Sequence, residues 1–139
     1  MDVIVLIGRI LFGILFLGSG SAHFQQRKAM SQYAGQMKIP SPLAATLASG
    51  VLIVAGGLMV IFGIWADLGA LLLILFLIPT AVLMHPFWKG GDPQQSQMNM
   101  TQFMKNISLA GGALMAFAFF AYLGSDLGLT ITGPLFNLN

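Results

Sequence analysis

The chain has 139 residues, of which 57% are hydrophobic and 7% charged, whereas roughly a quarter of the residues in soluble domains carry charge. That composition excludes an ordinary soluble enzyme, and six basic against four acidic residues, a net charge of +2, are too few and too scattered for a nucleic-acid interface. With no cysteine, the chain cannot build a dithiol relay, a disulfide, a thiolate zinc site or an iron–sulfur cluster, so any electron chemistry must be borrowed.

Four apolar blocks of about 18 to 23 residues are each long enough to cross a hydrocarbon core of roughly 30 Å, and little sequence is left for a separate soluble domain. The expected fold is all-α, an integral membrane four-helix bundle running up-down-up-down. It forms a single transmembrane domain over residues 1–139, with helices at about 3–22, 43–65, 68–85 and 106–123. The first block ends in Ser19-Gly20-Ser21-Ala22, which resembles the region before a signal-peptidase cut. Asp2 in place of a basic flank and Arg9 inside the apolar core argue instead for a retained helix.

A polar segment from His23 to Ser41 follows, carrying Arg27, Lys28 and Lys38, with a short interfacial helix expected over Ser31 to Lys38. The second span is rich in small residues, with Gly50 and Gly57 seven apart and Gly56 and Gly63 seven apart, a spacing that lets another helix backbone approach closely. Trp65-Ala66-Asp67 reads as a tight turn. The third span is nearly pure Leu, Ile, Ala and Phe until Pro79-Thr80, where proline predicts a kink about one turn before His85. Gly90-Gly91-Asp92-Pro93 is turn sequence, and Gln94 to Gln102, with Met98 and Met100, reads as a polar connector or partner-contact strip. The fourth span carries Gly111-Gly112 and ends in a polar tail from Leu123 onward.

With four spans, the connections after the first and third lie on one side, together with Arg27, Lys28, Lys38, Lys89 and Lys105, while Asp2, Asp67 and Asp126 lie on the other. The positive-inside rule therefore expects a multi-pass protein of the cell's inner (plasma) membrane with both long loops cytoplasmic and both termini outside.

The residues able to carry chemistry are few. Arg9 lies about two turns inside the first helix, where a cation must either snorkel to the interface or find an acceptor: a polar head group, Asp67 or Asp126. His23 and His85 end the first and third helices at one interface, with Lys105 and Asn106 at the same level. Two imidazoles can ligate haem or a metal, or serve a quinone or a lipid head group. Two histidines with no carboxylate nearby are a poor metal constellation, so no metal site is expected. Phe87 and Trp88 read as an aromatic interface belt or as the wall of an apolar pocket.

Taken together, Gly8-Arg9-Ile10-Leu11-Phe12-Gly13, Gly18-Ser19-Gly20, His85-Pro86-Phe87-Trp88, Phe103-Met104-Lys105-Asn106 and Gly111-Gly112 resemble the DoxX family of small four-helix membrane proteins, the section from His85 to Asn106 most specifically. The resemblance implies a link to respiratory or redox membrane complexes, among them thiosulfate:quinone oxidoreductase and assemblies that counter oxidative stress. The expected function is a membrane subunit of such a complex, with no intrinsic cofactor and not catalytic alone. It contributes a quinone or lipid head-group site at His85, Trp88, Lys105, Asn106, His23 and Arg9. The alternative is a structural or assembly subunit. Partners are membrane lipids and other membrane subunits or a second copy, with no nucleic acid.

Overall fold

The computed structural model describes residues 1–138 and contains, in order, α1 (Asp2–Gln25), α2 (Arg27–Gln36), α3 (Pro42–Phe62), α4 (Ala66–Met84) and α5 (Pro93–Leu123), with 3-10 turns at Phe87–Lys89 and Gly124–Asp126. Four of these helices are long and apolar enough to cross a membrane. They form an all-α bundle with no strand among the described residues.

Small residues set how the spans pack. The two glycine pairs of α3 point in different directions. Gly57 faces α1, where a methyl group added to it would lie 3.2 Å from the Gly13 carbonyl and one added to Gly13 would lie 3.0 Å from the Gly57 carbonyl. Gly50 lies under His23 and Phe24 of the same helix. Gly56 faces α4, where it and Gly69 approach each other's carbonyls, each added methyl again 3.0 Å away. Backbones this close gain van der Waals contact, which is the available driving force when lipid is as apolar as the helix surface. The core then runs through Phe16, Ile53, Leu73 and Leu77 to Ala110, Ala113 and Phe120 of α5. Phe12 reaches from α1 toward α5, its ring tilted against Phe16 with centroids 5.2 Å apart and its edge beside Gly112.

Two segments differ from the sequence expectation. The last helix begins at Pro93, between three and four turns before residue 106, so the tract Gln94 to Gln102 is helical. The cause is local: the Asp92 carboxylate accepts from the Gln95 amide at 3.0 Å, Pro93 sits in the first turn, and Gln and Met are good helix formers. At ~1.5 Å per residue the 31 residues of α5 span about 46 Å, more than the hydrocarbon core, so its first turns project beyond the apolar layer. The segment after α1 is likewise more helical than expected. α1 continues to Gln25, bends at Gln26 and runs directly into α2, which starts at Arg27 rather than Ser31.

The end of the molecule opposite α2 is closed by the C-terminal tail. Ile131 and Thr132 donate to the carbonyls of Phe62 and Gly63, and the Thr132 hydroxyl accepts from the Trp65 amide at 2.9 Å. Gly63 caps α3 in the left-handed region, φ 65°, where a side chain would collide with Thr130 and the Arg9 guanidinium.

Candidate functional site

The sequence-derived candidates separate into three places. Arg9 lies at the tail end of the bundle, only 3% exposed. It neither snorkels nor meets an aspartate. Nε donates to the Val60 carbonyl at 2.8 Å, Nη2 to Ile61 at 2.6 Å and Nη1 to Leu129 of the tail at 2.8 Å. Val60 and Ile61 belong to the last turn of α3, whose carbonyls have no helical partners and carry the negative end of the helix dipole. A fork-shaped cation satisfies both at once. Asp67, fully buried, is equally occupied, since its carboxylate accepts from the amides of Leu135 and Phe136 at 3.0 and 2.6 Å.

Trp88, Lys105 and Asn106 lie on the α5 side of the other end. Phe87, Trp88 and Phe103 form an edge-to-face cluster with centroids 5.3 to 5.7 Å apart, which pins the 3-10 turn to α5. Asn106 is buried one turn further along the face that carries Phe103, and Lys105 beside it is exposed.

His23 and His85 are brought together by a cavity of about 700 Å³ between α2, α3 and α4. The Gly56–Gly69 contact holds α3 and α4 together at the tail end, and the cavity occupies the space between them at the other, along residues 45–52 and 75–84. α2 covers its end, and the Tyr33 hydroxyl donates to the Met84 carbonyl at 2.9 Å, fastening α2 to the last turn of α4. Burial holds the Tyr33 phenol above its ordinary pKa, so it remains a donor at neutral pH.

His23 is buried, its ring edge-on to Phe76 at 5.8 Å. Its Nδ1 lies 3.0 Å from the Thr46 carbonyl and 3.0 Å from the Ser49 hydroxyl, which itself donates to Thr46 at 2.9 Å. With Nδ1 occupied, Nε2 is the nitrogen left for the cavity. His85 stands at the C-terminus of α4, with the Asn99 amide against its ring and Lys105 as the neighbouring cation. Its Nδ1 is buried and has no hydrogen-bond partner among the described residues. The cavity is otherwise apolar apart from Tyr33, Thr46, Ser49 and Thr80. None of these four is among the candidate site residues that the sequence suggests. Thr46 and Ser49, one turn apart on a membrane span, were the available signal. No group of three or more metal-ligating side chains occurs among the described residues.

Comparison with known proteins fits this architecture. The chain is 33% identical over 136 residues to the Escherichia coli inner membrane protein YqjF, covering 96% of this chain and 86% of the relative. It is 29% identical over 133 residues to the Escherichia coli inner membrane protein YphA, covering 95% and 84%. No solved structure matches significantly. The DoxX family profile matches residues 4–86, a stretch that holds Arg9, His23, the cavity walls and His85 and stops before Trp88, Lys105 and Asn106. On that match, and on the identity with YqjF along nearly its whole length, the chain belongs to the DoxX family.

Proposed function

We propose that this protein is a multi-pass inner-membrane subunit of a redox or respiratory assembly, without a redox centre of its own, and that it supplies a binding site for a quinone or a lipid head group. The observation that carries the reading is the cavity, with a volume suited to a small ligand, apolar walls and histidines from two helices. Lys105, Asn106 and Trp88 lie on the α5 side of His85, outside the residues that line the cavity, and Arg9 belongs to the framework that holds the far end shut. The inner-membrane location is supported by the designations of the two relatives. The clustering of five basic residues at the cavity end supports a cytoplasmic position for that end.

The test is to purify the protein with its native lipid and extract what it carries. A bound quinone or lipid is expected at near-stoichiometric amounts, and lost when Ala48→Phe fills the cavity mouth. An empty wild-type protein, together with unchanged quinone reduction by membranes of a His85→Ala/Lys105→Ala strain, would overturn the proposal. The assembly-subunit reading keeps one observation in its favour: the projecting start of α5 exposes Met98, Met100 and Met104, adaptable side chains suited to a protein partner. Loss of a co-purifying complex on deletion of this protein, with no ligand in the cavity, would favour that reading.

A further inference from the structure

We propose that the cavity selects a bilayer-soluble alcohol or phenol, admitted sideways between α3 and α4, whose hydroxyl donates to Nε2 of His23. This rests on the reading of the cavity as a binding site and specifies the class of ligand that it takes.

The direction of entry follows from the rim. Ala48 of α3 and Leu75, Pro79 and Leu83 of α4 line the cavity and are exposed, and all four lie within spans that cross the membrane. The mouth therefore faces acyl chains, while α2, fastened through Tyr33, covers the end nearer the loops. A molecule that reaches the cavity comes from the bilayer and is itself lipid-soluble.

The charge of its head group follows from the lining. Among the described residues, no Lys, Arg, Asp or Glu contributes to the cavity wall. A phosphate or carboxylate head would enter a largely apolar space with no fixed cation on its wall, at a large desolvation cost. The head group is neutral.

Its hydrogen-bonding sense follows from His23. A carbonyl only accepts, so the Nδ1 contact with Thr46 requires a proton on Nδ1. The Ser49 hydroxyl, giving its own proton to the Thr46 carbonyl, accepts from Nδ1 in the same tautomer. In that tautomer Nε2 carries a bare lone pair. The hydroxyls of Tyr33 and Thr46 are also spent on backbone carbonyls, of Met84 and Pro42. Thr80 and His85 remain on the wall and can donate or accept. The acceptor at Nε2 matches a ligand O–H and offers nothing to an ether or a carbonyl, so among quinone-type ligands it favours the reduced, hydroxyl-bearing form.

The experiment uses the full chain in lipid nanodiscs, with 4-nonylphenol and its methyl ether as probes of nearly equal shape. Binding is titrated by ¹⁵N NMR of histidine-labelled protein. The phenol is expected to bind about tenfold or more tightly than the ether, because a site built to accept a hydroxyl proton discriminates against the analogue that lacks it. The His23 Nε2 resonance should move with the phenol and stay in place with the ether. Ala48→Phe should abolish binding of both probes, and His23→Phe should erase the difference between them. If His23→Phe does not fold, the Nε2 shift in the wild-type protein decides the matter. Equal affinities with an unmoved Nε2 resonance, while Ala48→Phe still blocks binding, would overturn the selection and leave the cavity as a site. No binding of either probe to wild-type protein would overturn both.

Discussion

The two ends of this bundle use polar residues in opposite ways. At the tail end, Arg9 and Asp67 are buried charges whose hydrogen-bonding atoms are taken up by backbone, three carbonyls for one and two amides for the other. At the α2 end, His23 is bonded through Nδ1, the buried Nδ1 of His85 has no partner among the described residues, and both histidines border open space. A charge within a membrane span is often taken as a sign of function. Here the charged residues build the frame, and the imidazoles border the cavity.

That contrast is broken most severely at Arg9. Arg9→Ala strips three carbonyls of their donors and is expected to destabilise the folded protein by about 3 kcal/mol or more, read as a large drop in the unfolding midpoint in detergent. Arg9→Lys should recover only part, because an ammonium cannot reproduce the fork. A stability unchanged by Arg9→Ala would show that the tail end is not closed by this residue. Next in size, Gly57→Leu forces a side chain against Gly13, Phe16 and Leu17, and overpacking of this kind costs about 1–3 kcal/mol. Asp67→Ala should cost about 1–2 kcal/mol and loosen the tail, seen as faster hydrogen exchange at Leu135 and Phe136, with probe binding at the other end unaltered. Coupled loss of binding would contradict the separation of the two ends.

The smallest effect is expected at the open end. Tyr33→Phe removes one hydrogen bond, about 1 kcal/mol. It should raise exchange across α2 and speed ligand release while moving the unfolding midpoint by no more than about 4 °C. A large midpoint loss would mean that α2 is part of the frame rather than a cover.

Much of the fold could be read from the sequence, because apolar length and glycine spacing act locally. The four spans, the meeting of His23 and His85 at one end and the close-packing role of the α3 glycines all follow from those signals. The destination of Arg9 did not, since its acceptors are carbonyls of α3 and the tail, 51 to 120 residues away, and backbone atoms leave no mark in a residue pattern. α5 starts before its apolar span does, because low hydropathy in Gln94 to Gln102 marks the end of the membrane, not the end of a helix. The cavity was hidden for a similar reason. It exists where α3 and α4 part beyond the Gly56–Gly69 contact, and separation between helices is a property of their packing, not of either sequence alone.

The most direct test of the contrast is to extract and quantify the neutral lipid-soluble molecules retained by purified wild-type, Ala48→Phe and Asp67→Ala proteins. The account predicts a hydroxyl-bearing ligand near one per chain in the wild type, retained in Asp67→Ala and absent from Ala48→Phe. Equal, trace amounts in all three would contradict it.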